Sequence, residues 1–186
     1  RFVAAESLES TLPVFRSLNE RGMHVALDLL GEYVADRSVA SAARDAYIDL
    51  VHHVADEPGL DANVSIKLSM LGQKIDYGFC FENLTELMTV ARDRDVFVRL
   101  DMEGSDITQS TISMFEQAYR DYPDHLGIVL QAYLHRTKAD VERMCDLNAR
   151  VRICKGAYKE PPSIAYQDIA TIRERFTEYA RMLIEA

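Results

Sequence analysis

Five times along this chain a short alternating segment is followed by a helix-like one, the alternating segments starting near residues 24, 63, 96, 127 and 150. No other feature limits the fold as much. Unbroken strand–helix alternation means right-handed crossovers and a parallel sheet, and it leaves two common solutions: a doubly wound open sheet or a barrel.

The faces of the strands decide between them. His24–Glu32 puts Val25, Leu27 and Leu29 on one side and Ala26, Asp28 and Leu30 on the other. Asn63–Met70 opposes Val64, Ile66, Leu68 and Met70 to Asn63, Ser65, Lys67 and Ser69, and Val96–Glu103 opposes its apolar residues to Phe97, Arg99, Asp101 and Glu103. Gly127–Tyr133 is apolar with one polar insert, Gln131, and the strand opening Arg150–Pro161 sets Val151 and Ile153 against Arg152 and Cys154. Strands covered by helices on both faces read as near-continuous apolar runs, which four of these five are not. Instead Asp28, Lys67, Asp101, Gln131 and Arg152 fall one per strand, near the C-terminal ends. That ring suits the top of a (β/α)₈ barrel, where strands deliver catalytic groups at their C-terminal ends. The Gly-rich turn that an open dinucleotide-binding sheet places after its first strand is absent.

Helical spacing predicts the intervening elements. Glu6–Glu20 carries Leu8, Leu12, Phe15 and Leu18, with Pro13 moving the start toward Ser10. Ser38 is the expected cap of a helix running to Asp56, with Val39, Ala43, Ala46, Leu50, Val51 and Val54 as its apolar stripe. Further helices are expected within Asp76–Arg94, over Ile107–Tyr119 with Asp106 as cap, over Thr137–Asn148, and from Ser163 to Glu185.

Residues 1–186 read as one domain, the N-terminal and central part of a barrel: five units stand where eight are expected, and such barrels take about 250 residues. The chain opens on Arg1 and not on methionine, so a missing N-terminal stretch is expected. A net charge of −9 without a basic cluster argues against nucleic acid as a partner. No apolar run is long enough to span a bilayer. Cys80, Cys145 and Cys154 are scattered and lack CxxC spacing, which fits reduced thiols better than disulfides or zinc.

Each polar candidate has a plain reading beside a chemical one. Inward charges must be paired, and Asp28, Glu32, Asp101 and Glu103 can balance Lys67, Arg99 and Arg152 as a structural ion network. Lys67 is an edge-strand lysine, a carboxylate-binding cation or a Schiff-base amine. Asp101 and Glu103 share a face as an acid/base pair, with no histidine at ligand spacing to make a metal site. Gln131 needs hydrogen-bond partners that a ligand or a backbone would supply. Tyr133 and Tyr158 end their strands as rim aromatics or stacking surfaces, His52-His53 point apart on a helix, and Cys154 fills space. In Lys155-Gly156-Ala157-Tyr158 a small flexible pair lets backbone approach a bound, electron-rich group beside two cations, Arg152 and Lys155.

The motifs RFVAAES, LDLLGE, VSIKLSMLG, VRLDMEGS, GIVLQAYLHRT and VRICKGAYKEP, in this order, resemble the flavin-dependent proline dehydrogenase (proline oxidase) family across nearly the whole chain. The resemblance implies a distorted (β/α)₈ barrel, here truncated to about its first five βα units, with FAD at the C-terminal ends of the strands. It implies oxidation of L-proline to 1-pyrroline-5-carboxylate by hydride transfer to the flavin, with a membrane quinone as electron acceptor. It also implies a cytoplasmic protein peripherally bound to the inner membrane (mitochondrial in a eukaryote), and either a second copy or a pyrroline-5-carboxylate dehydrogenase as partner. Carried over by motif, Lys67 and Tyr158 would contact substrate. Asp101 and Arg152 would be catalytic. Met102, Gln131, Arg152, Lys155, Gly156 and Ala157 would contact the cofactor, and no metal is implied. The paired arginines of the family's last helix are not among these residues, and RFVAAES and Cys154 depart mildly from the commoner RFVAGE and an aliphatic residue. Two other classes stay open on the residues alone: a Schiff-base aldolase using Lys67 or Lys155, and a non-catalytic barrel fragment acting as an interaction module.

Overall fold

The computed structural model describes residues 8–31 and 34–186. Its elements alternate throughout: α1 (Leu8–Glu20), β1 (Val25–Asp28), α2 (Arg37–Asp56), β2 (Ala62–Ile66), α3 (Tyr77–Asp93), β3 (Val98–Leu100), α4 (Ser105–Tyr119), β4 (Leu126–Gln131), α5 (Thr137–Asp146), β5 (Arg150–Cys154) and α6 (Ile169–Glu185).

The strands pair in sequence order, β1-β2-β3-β4-β5, and every pair is parallel. A doubly wound sheet reverses its strand order part-way; this one never does. The result is a half-barrel with its helices outside, a truncated TIM-like barrel as the strand faces predicted. Leu27, Val64, Val98 and Leu126 stand in one transverse row, and Ile66, Leu100, Ile128 and Val151 in the next. These residues meet the buried faces of the helices, among them Tyr47, Leu50, Leu84, Met88, Ile112 and Phe115. That continuous apolar layer is the main driving force for the fold.

Several boundaries differ from the sequence expectations, each for a local reason. Asp36, not Ser38, caps α2: its carboxylate accepts from the backbone N–H groups of Ser38 and Val39, and the Ser38 hydroxyl donates to it as well. Val39, placed in the apolar stripe, is 52% exposed, and Ala40 and Tyr47 are buried in its stead. Asp106 lies in the first turn of α4 and not at its cap, which is Gly104. Asp106 instead pairs with Lys74 at 2.7 Å. Helix α1 runs through Pro13 from Leu8, since losing one N–H costs a single backbone bond early in the helix. Strand β2 stops at Ile66, where the chain turns over Leu68 to Ile75. Helix α6 begins at Ile169, because residues 161–166 are held by the loop after β4, to which they contribute an antiparallel bridge between Leu134 and Ala165. The RFVAAES motif and Glu32 lie outside the described residues.

Candidate active site

The concave face of the sheet carries the polar residues that the alternation predicted, and backbone register brings them together. Asp28 is the last residue of β1 and Lys67 follows the last residue of β2; their side chains form an ion pair on a rim where Lys67 is 14% and Asp28 30% exposed. Burial pushes the Asp28 carboxyl above its ordinary range, and the bond to Lys67 only partly opposes this. Behind the pair stands Tyr47 of α2, fully buried, its hydroxyl 3.4 Å from the Met70 sulfur. Desolvation, with the Asp28 charge beside it, raises the Tyr47 phenol far above its normal value. Tyr47 was absent from the sequence candidates, although it is in phase with Leu50, Val51 and Val54 on the inner stripe of the helix.

A second pair lies across the sheet. Asp101 accepts from the Ser65 hydroxyl at 2.7 Å and from the Arg152 guanidinium at 2.6 Å. Arg152 is in register with Val129 on β4, and continuing the β3–β4 pairing by one residue sets Asp101 opposite Val129 from the other side. A small apolar residue between them leaves room for the long arginine to reach a carboxylate two strands away.

Asp101 and Glu103 share a face but are held by different serines. Glu103 is buried and accepts from the Ser69 backbone N–H at 3.2 Å and the Ser69 hydroxyl at 2.6 Å. It fastens the turn after β2 to the end of β3. The serines at 65 and 69, read as the weak polar face of a strand, are therefore the donors that let two carboxylates lie in a nearly closed interior.

Below this level the concave face is cationic. Arg99 and Arg150 both place their guanidinium carbon 5.2 Å from the centre of the Phe97 ring. Burial, then the nearby Arg152, lowers the affinity of Arg99 for its proton.

Gln131 ends β4 with its side chain buried. Its amide nitrogen donates to the Met102 carbonyl at 3.1 Å, while its amide oxygen has no hydrogen-bond partner. Met102 itself packs its side chain into the helix-side core, so its carbonyl is the group directed toward Gln131. Past β5 the chain stays bonded to the loop after β4, with Ala132 N–H donating to Cys154 and Tyr133 N–H to Lys155. Gly156 then takes φ +113 directly against the Tyr133 ring, where a Cβ would lie 2.2 Å from a ring carbon. Lys155 and Ala157 are exposed and Tyr158 is half-buried. Burial raises the Cys154 thiol above its usual range, which disfavours a nucleophilic thiolate. Among the described residues no group of three or more His, Cys, Asp and Glu side chains could hold a metal ion.

The structure thus brings Lys67, Asp101, Gln131 and Arg152 to one rim, with the Lys155–Tyr158 segment beside them. The sequence pattern of the proline dehydrogenase family matches residues 11–168. Proline dehydrogenase 2 of Bacillus subtilis (strain 168) is 33% identical over 181 residues, which cover 97% of this chain and 59% of the relative. The proline dehydrogenase of Deinococcus radiodurans is 34% identical over 180 residues, covering 95% of this chain and 58% of the relative. The chain therefore spans a little under three fifths of the length of these two relatives. Among solved structures, proline utilization A (PutA) from Bdellovibrio bacteriovorus, inactivated by N-propargylglycine, superposes with a TM-score of 0.88 at 24% identity, over 99% of this chain and 24% of that one.

Proposed function

The chain belongs to the proline dehydrogenase family, and on that basis we propose that it supplies the strand-end half of an active site that oxidises L-proline to 1-pyrroline-5-carboxylate. The observation that carries the reading is the convergence of Lys67, Asp101, Gln131 and Arg152, drawn from four strands, on one rim.

Two features suit a flavin there. The Gln131 amide oxygen is a buried acceptor with no bond of its own, as the N–H edge of an isoalloxazine requires. Gly156 brings backbone close where any side chain would collide with Tyr133. In this reading Gln131, Arg152, Lys155, Gly156 and Ala157 hold FAD, with Met102 contributing through its carbonyl. When bound, the flavin supplies the two-electron acceptor for the hydride.

The residues of the chain do the rest. Arg152 places a fixed positive charge where negative charge develops, and it needs no reorganisation because Asp101 already orients it. Asp101 in turn is held by Ser65, so the arginine is positioned from two strands away. Lys67 meets the substrate carboxylate as an ammonium already fixed by Asp28, and Tyr158 flanks the same pocket. An amine kept in an ion pair is poorly placed to condense with a carbonyl, which favours this reading over a Schiff-base aldolase that uses Lys67. The electron acceptor is a membrane quinone, met by peripheral association with the inner membrane, and the product is handed to a pyrroline-5-carboxylate dehydrogenase.

The test uses the full-length protein. It is expected to carry a yellow, non-dialysable flavin that proline bleaches without oxygen. Arg152→Met should raise the barrier to that bleaching by about 2–4 kcal/mol while leaving the fold intact by circular dichroism. Colourless protein, or unchanged bleaching kinetics in the variant, would refute the respective assignment.

A further inference from the structure

Glu160 lies beyond every residue assigned above, yet its carboxylate bonds a distant part of the chain. It accepts from the backbone N–H of Ser105 at 2.8 Å and from the Ser105 hydroxyl at 2.6 Å. Ser105 is the first residue of α4, and the cap before it, Gly104, has no side chain to offer. The exposed N–H groups and positive end of α4 are therefore answered from another loop.

The position of Glu160 in its own segment gives this bond its consequence. The connection from β5 to α6 is tied at its start by backbone bonds, where Cys154 and Lys155 accept from Ala132 and Tyr133. It is tied again at Glu160, whose carbonyl also accepts from the Gln167 side chain at 3.2 Å. Gly156-Ala157-Tyr158-Lys159 is the span between these two anchors. Pro161 follows Glu160 and restricts it to extended backbone, so little conformational freedom is lost in aiming the carboxylate. On the receiving side, Ser105 follows Asp101, Met102 and Glu103 by only a few residues.

We propose that Glu160 is a positioning residue that locks the Gly156–Lys159 span, and Tyr158 within it, against the Asp101–Ser105 corner, fixing the width of the pocket between them. The inference rests on the proline-oxidising reading for its kinetic consequence and on the hydrogen bonds alone for its structural one. Release of the carboxylate removes one of the two ties that hold the span at Glu160, the Gln167 bond remaining, and uncaps α4 at the same time, so pocket and helix loosen together.

Three variants of the full-length protein test it. Glu160→Ala should raise KM for proline about tenfold while kcat stays within about threefold of wild type, since Tyr158 is displaced and Arg152 is not. Glu160→Gln keeps an acceptor for the Ser105 N–H and should stay within about threefold of wild type in both constants. Ser105→Ala should fall between them and serves where Glu160→Ala does not fold. Hydrogen exchange of the flavin-free protein supplies the independent reading: amides of 156–159 and of the first turn of α4 should exchange faster together in Glu160→Ala. Faster exchange confined to α4, with 156–159 and KM unmoved, would make Glu160 a helix cap only and overturn the proposal. A wild-type protein that neither binds flavin nor oxidises proline would overturn the functional reading, while the exchange result would still decide the role of Glu160.

Discussion

Gly156→Ala measures how tightly the loop after β5 is built. Gly156 adopts φ +113, a conformation that an L side chain rarely tolerates, at a cost of about 1–3 kcal/mol. Its Cβ would stand 2.2, 2.4 and 2.6 Å from three carbons of the Tyr133 ring, well inside contact distance. The ring has little freedom to retreat. Tyr133 is 6% exposed, its N–H donates to Lys155 at 2.9 Å, and its carbonyl accepts from Tyr166 at 2.8 Å. Overpacking of that kind adds about 1–3 kcal/mol. The sum is a destabilisation of about 2–6 kcal/mol. Gly22→Ala provides the control, because Gly22 has φ +75 but nothing within 4 Å of its would-be Cβ. It should cost only the backbone strain, about 1 kcal/mol. Urea unfolding of the two full-length variants, followed by far-ultraviolet circular dichroism, gives the comparison. If Gly156→Ala is no more destabilising than Gly22→Ala, the Tyr133 ring does not constrain this position, and the reasoning fails.

Two further perturbations address the interior and the relay to Arg152. Burial, with the Glu103 charge adding to it, pushes the Cys80 thiol up to about 12 from an ordinary value near 9. The folded state therefore keeps a proton that the unfolded chain loses first, so the contribution of this group is full below pH 9 and is lost as pH rises toward 12. Native protein at pH 9 should resist iodoacetamide at Cys80, and Cys80→Ala should flatten the alkaline fall of the unfolding free energy. Alkylation as fast as in urea would contradict this. Ser65→Ala removes the O–H that donates to Asp101 at 2.7 Å and should cost about 1.5–3 kcal/mol of stability, the worth of a hydrogen bond to a charged group. Flavin reduction should slow by a few-fold through the loosened Arg152, and unchanged values of both would remove Ser65 from the relay.

The fold was legible in this sequence because period and face are local properties. Alternation in Asn63–Met70 and Val96–Glu103 marked both the strands and the concave side, and one polar residue per strand end marked the rim. What the sequence concealed depends on partners far along the chain. Nothing near Ser105 says that its helix is capped by residue 160, and Asp106 looked the better candidate because it is adjacent. Ser65 and Ser69 read as weak strand residues until the carboxylates they satisfy, Asp101 and Glu103, were placed opposite them. Tyr47 is within reach of helical periodicity, but nothing local in the sequence shows that its hydroxyl lies beneath Asp28 and Lys67. Asp101 and Glu103 are a further case: one bonds Ser65 and Arg152, the other Ser69. Sharing a face sets direction, not partner.

The charge balance of the rim constrains how it can bind an anion. Lys67 with Asp28, and Arg152 with Asp101, are two closed pairs, and a closed pair offers a carboxylate little net attraction. In the proposed reading, substrate binding is then an exchange of partners in which the proline carboxylate competes with Asp28 for the ammonium. Asp28 is suited to yield, because burial already raises its pKa and so weakens its claim to a negative charge. Asp101 is differently placed: Ser65 supports it in addition to Arg152, so the arginine keeps its orientation while the lysine changes its companion. One pair is built to open and the other to stay shut. This division follows from which carboxylate has a serine donor beneath it: Ser65 donates to Asp101, whereas the Tyr47 hydroxyl behind Asp28 lies against the Met70 sulfur. Arg99 and Arg150, one level below and stacked on Phe97, add the positive potential that two neutral pairs lack. The rim can therefore select for an anion without holding a bare cation in the open, which would cost solvation in the empty site and bind any passing carboxylate.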